Sequence, residues 1–236
     1  MSSVAYVKTS LIDFPGRLAS VLFLPGCDFR CPYCHNADLV GAGEGRSGPS
    51  TEGLGPLAEF LGFLDRRKSR ISGVVISGGE PLLREETPRI ASLIRERGLA
   101  VKLDTNGSFP DRIEEVGADF VALDFKTAPS AYGRVAPGGA AAGVRALESL
   151  ARLRSSGTPF EVRITCAPGI VGEAELEEMA LALETGDEVV LQDFRPGGCL
   201  DPAFDSVEPH SPATMSSLLA IARRRSPRAR IRGARG

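Results

Sequence analysis

The sequence predicts an α/β fold in which parallel strands are covered on the outside by helices. Six short apolar runs have the length and composition of buried strands, and they lie at residues 19–24, 73–77, 100–104, 120–124, 161–165 and 188–192. Five stretches have helical length and apolar side chains three or four residues apart, at residues 51–67, 85–97, 140–155, 173–184 and 211–225. Because two parallel strands need a long crossover, which a helix provides, this alternation predicts βα units.

Polar or glycine-rich sequence follows each predicted strand. The first two strands, ASVLFL and GVVIS, run into PGCDFRC and SGGEP. The next two, AVKLD and FVALD, end in aspartate, and the last two are EVRIT and EVVLQ; a short edge strand is expected at residues 229–232. Six units are fewer than the eight of a closed TIM barrel, so a curved, partly open barrel and a doubly wound sheet both remain possible. In either case the functional site is expected at the carboxyl ends of the strands.

The composition predicts one globular domain over residues 1–236. Apolar residues make up 42% and charged residues 25% of the chain, and 28 basic residues against 30 acidic ones give a net charge of −2. No apolar run approaches the roughly 20 residues that cross a bilayer, and residues 1–10 lack signal-peptide features, so we expect a cytoplasmic protein without membrane association. Nucleic acid is not an expected partner, because the chain is acidic apart from the arginine-rich residues 223–236. For the glycine-rich loop at residues 41–50, partner docking and a tolerated insertion are both open.

Three of the five cysteines lie in one short loop after the first predicted strand. They are Cys27, Cys31 and Cys34. Three thiolates from one loop suit an iron–sulfur cluster, and a [4Fe–4S] cluster held by three leaves one iron open for an outside ligand. A structural zinc ion would need a fourth protein ligand, and His35 directly follows a cysteine, so its side chain is expected to point elsewhere. Cys166 and Cys199 are expected to be small buried residues.

The CxxxCxxC loop, with Tyr33 before its last cysteine, resembles the cluster loop of the radical S-adenosylmethionine (SAM) superfamily. Three further motifs follow in the order of that family at successive strand ends, namely SGGEP at residues 77–81, DTNG at residues 104–107 and DFK at residues 124–126. The resemblance implies a [4Fe–4S] cluster with three cysteine ligands and SAM as the second cofactor. With it, the fold prediction becomes a partial (βα)6 TIM-like barrel.

Within the superfamily, the sequence is most similar to the activases of glycyl-radical enzymes. The similarity lies in KTSLIDFPG, GC, YCHN and LQDFRPG, at residues 8–16, 26–27, 33–36 and 191–197. The resemblance implies a radical SAM oxidoreductase that cleaves SAM reductively and removes a hydrogen from a glycine of a partner enzyme. Anaerobic ribonucleotide reductase or a relative is the expected partner, and flavodoxin or ferredoxin the expected reductant.

The resemblance also implies which residues bind SAM. Gly78 and Gly79 are expected to let the backbone approach the cofactor closely, and Glu80 to meet its ammonium group. Lys126 and Arg163 are candidates to face its carboxylate if they point inward, whereas on an outward face they would be solvated charges. The other expected contacts are Tyr33, Thr105, Asn106, Asp124 and Gln192.

A monovalent cation is a further expectation from the resemblance, with Asp104 as its ligand beside Thr105 and Asp124. From the residues alone, the two aspartates can equally help to bind ribose or cap the turns that follow their strands. Phe194 is expected either to wall the site or to belong to the core.

Two other functions stay open at this point. A radical SAM enzyme acting on a small molecule or a nucleotide precursor would carry the same motifs. A cysteine-ligated zinc or redox protein would explain the cysteine loop, but it would leave SGGEP, DTNG and DFK without a role.

Overall fold

The computed structural model describes residues 3–41 and 54–232, and this part of the chain forms a nine-stranded sheet with helices. The strands are β1 (Ser3–Ser10), β2 (Ala19–Leu24), β3 (Gly55–Pro56), β4 (Gly73–Gly78), β5 (Ala100–Thr105), β6 (Phe120–Asp124), β7 (Phe160–Cys166), β8 (Val189–Asp193) and β9 (Arg230–Arg232). The α-helices are α1 (Ala37–Val40), α2 (Leu57–Arg67), α3 (Thr87–Arg95), α4 (Ala140–Ser156), α5 (Glu173–Leu181) and α6 (Pro212–Arg223).

The sheet has the strand order β3-β1-β2-β4-β5-β6-β7-β8-β9. From β2 to β9 along this order, all neighbouring strands are parallel. The six predicted strands and the predicted edge strand are all present, so the parallel α/β prediction is confirmed. The order begins at β3 and ends at β9, so the sheet is not a closed barrel.

The two faces of the sheet carry different cores, which distinguishes a partial barrel from a doubly wound sheet. The large core includes Val74 and Ile76 of β4 with side chains of the helices, whereas Val75 between them belongs to a separate small cluster with Phe14 and Val21. Successive strand residues point to opposite faces. The large core therefore packs the helices against one face, and the other face is the interior of a partial barrel.

Two features of the fold were not predicted. Strand β1 runs antiparallel beside β2 at the edge and pairs with the two-residue β3. Its sequence SVAYVKTS is mostly exposed or half-buried, so it lacks the continuous apolar run that marks the parallel strands. The crossover from β5 to β6 has two short 3-10 turns, Pro110–Arg112 and Glu114–Val116, where the other crossovers of the parallel sheet have α-helices.

Within residues 3–41 and 54–232, none of the helices has both the length and the apolar character needed to span a membrane. The loop predicted at residues 41–50 lies outside the described residues from residue 42 onward. The predicted helix at residues 51–67 is described only from residue 54, and α2 begins at Leu57.

Candidate active site

A cavity of about 450 Å³ opens at the carboxyl ends of the parallel strands. It brings together residues that are far apart in the sequence, from the cysteine loop and from the ends of β4, β5, β6, β7 and β8. The sequence-predicted residues that line it are Cys27, Cys31, Tyr33, Cys34, Gly78, Gly79, Asp104, Thr105, Asn106, Asp124, Lys126, Arg163 and Gln192. Of the predicted site residues, Glu80 alone is absent from this lining.

Several other residues line the cavity although the sequence predicted no site role for them, and three of them lie inside the quoted motifs. They are Asp13, Phe29, Asn36, Val40, Ser77 and Thr165. Asn36 lies inside the YCHN motif, and Thr165 lies two residues after Arg163 on β7, so strand alternation could have found it. Asp13 reaches the cavity from the connection between β1 and β2, and it belongs to the KTSLIDFPG segment at residues 8–16.

The cysteine loop is fixed by backbone hydrogen bonds to distant segments. The Gly26 N–H donates to the Leu39 carbonyl at 2.7 Å, and the Leu200 N–H donates to the Cys34 carbonyl at 2.9 Å. The Asn36 amide donates to the Gly78 carbonyl at 3.0 Å and so joins the loop to the end of β4. The three cysteines are therefore held by contacts on several sides.

The cysteine thiols lie in a desolvated environment. Burial raises the pKa of Cys27 to about 12 and that of Cys31 to about 11. The Phe29 N–H donates to the Cys27 sulfur at 3.4 Å, and the Asn106 amide lies 4.0 Å from the same atom. Iron binds thiolates, so iron binding at this site must release the thiol protons.

Gly78 and Gly79 allow the end of β4 to pack directly on the cysteine loop. Gly78 has a φ of +130°, and a Cβ on Gly79 would lie 1.9 Å from the Gly26 carbonyl oxygen. The Gly79 N–H donates to the Leu24 carbonyl at 3.0 Å. Both glycines line the cavity, so their close backbone contact shapes the cavity wall as well as the loop.

Glu80 is fully buried and is not among the residues that line the cavity. Its carboxylate accepts hydrogen bonds from the Leu82 N–H at 2.9 Å, the Thr105 hydroxyl at 2.8 Å and the Asn106 N–H at 2.7 Å. Burial raises its pKa to about 7, against the opposing effect of these bonds. This carboxylate therefore joins the end of β4 to the end of β5, and its expected contact with the cofactor ammonium stays a prediction.

A row of alternating charges runs from the protein interior into one wall of the cavity, and we call it the charge row: Lys102, Asp104, Arg163, Asp124 and Lys126. Lys102 is the buried end of the row, and the other four residues line the cavity. Arg163 bridges the two aspartates, with Nη1 2.9 Å from Asp104 and Nε 2.7 Å from Asp124. Burial would raise the pKa of Asp124, but the charges of Arg163 and Lys126 outweigh it and hold that pKa well below its usual range. Despite burial, Asp124 raises the pKa of Lys126. Asp124 and Lys126 therefore both stay ionised at neutral pH.

The predicted monovalent cation at Asp104 does not fit this arrangement. One Asp104 oxygen lies 2.5 Å from Lys102 Nζ and the other 2.9 Å from Arg163 Nη1. In the described part of the chain, no group of three or more His, Cys, Asp or Glu side chains is placed to hold a single metal ion. Two protein cations therefore already balance the charge of this carboxylate.

His35 and Phe194 connect the cysteine loop to the segment that follows β8. His35 lines the cavity, and its Nε2 donates to the Arg195 carbonyl at 2.8 Å. Its ring stacks on Phe194 with 6.5 Å between centroids. Phe194 is fully buried and does not line the cavity, so it belongs to the core. Cys166 and Cys199 are also buried outside the lining.

The residues present fit a cluster and SAM in donor chemistry and in volume. Three thiols, the ligands that iron–sulfur clusters use, line one cavity together. The cavity volume falls within the range of pockets for small organic ligands. The charge row has three cations and two carboxylates, which leaves a net positive charge suited to a ligand carboxylate.

The chain is similar in sequence to known proteins. Residues 21–183, more than half of the chain, match the sequence model of the Radical SAM superfamily. A protein of Methanocaldococcus jannaschii, named as a candidate glycyl-radical enzyme activating enzyme, is 32% identical over 206 residues, covering 84% of this chain and 82% of its own length. The pyruvate formate-lyase-activating enzyme of Clostridium pasteurianum is 38% identical over 119 residues, covering 49% of this chain and 48% of its own.

The fold also matches solved structures. QueE from Escherichia coli superposes with a TM-score of 0.56 at 18% identity, and the match covers 98% of this chain and 93% of QueE. At this identity the likeness concerns the fold alone, and it agrees with a partial TIM-like barrel. The family match also overturns the alternative of a zinc or redox protein without radical chemistry. The chain belongs to the radical SAM superfamily.

Proposed function

We propose that this radical SAM enzyme is an activase that forms a glycyl radical on a partner enzyme, with anaerobic ribonucleotide reductase as the partner. The observation that carries the proposal is the match at 32% identity, over more than four fifths of both chains, to a candidate glycyl-radical enzyme activating enzyme. We further propose that residues 1–236 act as one domain, in the cytoplasm, with flavodoxin or ferredoxin as the electron donor.

When bound, the [4Fe–4S] cluster and SAM supply a 5′-deoxyadenosyl radical that removes a hydrogen atom from a glycine Cα. In the proposed mechanism Cys27, Cys31 and Cys34 hold the cluster. The loop contacts to Leu39, Gly78 and Leu200 keep these cysteines at fixed positions. Such fixed placement matters because a misplacement of about 1 Å is enough to lower an enzymatic rate roughly 100-fold.

The charge row orients the bound SAM in this proposal. Lys126 and Arg163 line the cavity, and each is itself held by an aspartate at 2.9 Å or less. A lysine ammonium has three donors, and Asp124 uses one of them, so Lys126 can also bind a ligand carboxylate. Asn106 donates to Asp28 at 3.0 Å and lies beside Cys27, so it connects the cofactor wall to the cysteine loop.

The proposal is tested by mixing the anaerobically reconstituted protein with purified anaerobic ribonucleotide reductase, SAM and reduced flavodoxin. We expect a glycyl-radical EPR signal on the reductase, together with 5′-deoxyadenosine and methionine. A Cys31→Ala variant serves as the control and should give none of these products.

Two outcomes would redirect the proposal. A signal on pyruvate formate-lyase but not on the reductase would keep the activase function and change its partner. Deoxyadenosine formation without a radical on either enzyme would refute the activase function. A mass-spectrometric search of metabolite extracts would then look for a small-molecule or nucleotide-precursor substrate.

A further inference from the structure

Lys102 is a lysine in the interior of the protein. It lies in the middle of β5 and is 0% exposed. Its Nζ lies 2.5 Å from Asp104 Oδ1, and the two residues are on the same face of the strand because they are two positions apart. A buried ammonium group is costly unless it is paired, so the contact with Asp104 accounts for its charge.

Lys102 stands behind the cavity wall. Asp104 lines the cavity, whereas Lys102 is not among the lining residues. The second Asp104 oxygen accepts from Arg163, and Arg163 in turn bridges to Asp124. Lys102 therefore acts on the cavity only through Asp104 and the side chains that Asp104 holds.

A metal cation at Asp104 would have to share a carboxylate whose two oxygens both accept from protein cations. A second positive charge close to the Lys102 ammonium would also be repelled in this buried setting, where Coulomb interactions are stronger than in water. The arrangement thus already contains the positive charge that an added monovalent cation would supply.

We propose that the Lys102 ammonium is a built-in monovalent cation of the active site, which holds Asp104 in place for Arg163 and removes any need for sodium or potassium. Lys102 is a positioning residue in this role. The effect on cofactor binding rests on the proposed function of the cavity, but the effect on the protein without cluster does not.

The test is a salt exchange at constant ionic strength, in which choline chloride is replaced by sodium, potassium or methylammonium chloride. For wild-type protein without cluster, we expect the same Tm in all four salts. Lys102→Ala removes the ammonium and leaves room beside Asp104. Its Tm should fall in choline and rise by at least about 3 °C in potassium or methylammonium.

Three controls separate charge from packing. Lys102→Met fills the space without a charge, so its lowered Tm should not respond to the choice of cation. Lys68→Ala removes an exposed lysine and should behave as wild type. In reconstituted protein, Lys102→Ala should bind SAM at least about tenfold more weakly in choline and regain most of this affinity in methylammonium.

The wild-type measurement decides the question without any variant. A saturable rise in wild-type Tm or SAM affinity, on replacing choline by sodium or potassium, would overturn the proposal. A Lys102→Met protein with the Tm and SAM affinity of wild type would also overturn it. So would a Lys102→Ala protein whose Tm is the same in every salt, or one that folds in none of the four salts. Failure of glycyl-radical formation alone would leave these results unchanged, because they concern the protein without its partner.

Discussion

Replacement of Gly79 by alanine is the sharpest test of how the cysteine loop is held. The new Cβ would lie 1.9 Å from the Gly26 carbonyl oxygen, 2.5 Å from its carbon and 3.0 Å from the Cβ of Cys27. Contacts below 3.0 Å are essentially never seen for a Cβ atom. The loop at Gly26 must therefore move by about 1.1 Å, because the clashing atoms are backbone and cannot rotate away.

This displacement predicts two separate losses. Overpacking of a tightly packed site costs about 1–3 kcal/mol, so the free energy of unfolding of the protein without cluster should fall by that amount. The same displacement of about 1 Å would move Cys27, and a misplacement of this size can lower an enzymatic rate roughly 100-fold. The iron content after reconstitution and the rate of SAM cleavage should therefore both fall.

The assay combines urea unfolding with iron and sulfide analysis after anaerobic reconstitution. Gly186→Ala is the matched control, because a Cβ there meets nothing within 4 Å. Its stability should stay within about 0.5 kcal/mol of wild type, with full iron content. Gly79→Ala protein with wild-type stability and iron content would refute the close packing of β4 on the cysteine loop.

Three further predictions concern single buried groups. Because the folded-state pKa of Glu80 is raised to about 7, its contribution to stability is present at low pH and is lost as pH rises from about 4.5 to 7. Between pH 5 and 7, urea unfolding should therefore show that the free energy of unfolding of wild type falls relative to that of Glu80→Gln. The same pH dependence in both proteins would contradict the raised pKa of Glu80. Asn106→Ala removes an amide beside the Cys27 sulfur, so an EPR-monitored redox titration should give a more negative cluster potential, and an unchanged potential would argue against that contact. Cys166→Ala should retain full iron content after reconstitution, since this buried cysteine lies outside the cavity, and loss of iron would make it a ligand.

The sequence was most informative where one physical requirement governs a whole segment. Strands of a parallel sheet are covered by helices on one face and by the barrel interior on the other, so runs such as GVVIS predict β4 within one residue of its end. Strand β1 lies between β2 and the two-residue β3 and is mostly exposed or half-buried, so its sequence lacks the apolar run that predicts a buried strand.

The placement of single side chains was less evenly predictable. Every predicted site residue except Glu80 lines the cavity, because the motifs follow parallel strands whose carboxyl ends meet. The direction of the Glu80 carboxylate depends on three donors, from Leu82, Thr105 and Asn106, that become neighbours only in the folded chain. Local sequence could not reveal that these three donors would meet the Glu80 carboxylate in the protein interior.

By itself, the sequence determined the parallel α/β architecture, the three-cysteine loop and the strand ends that form the site, because each depends on local periodicity or on closely spaced residues. Only the tertiary structure decided which charges meet. Asp104 and Arg163 are 59 positions apart, and their pairing at 2.9 Å arises because β6 places their two strands on either side of it. Since the energy of a charge depends on its distances to all other charges, the cation at Asp104 could be identified as Lys102 only once those distances were fixed.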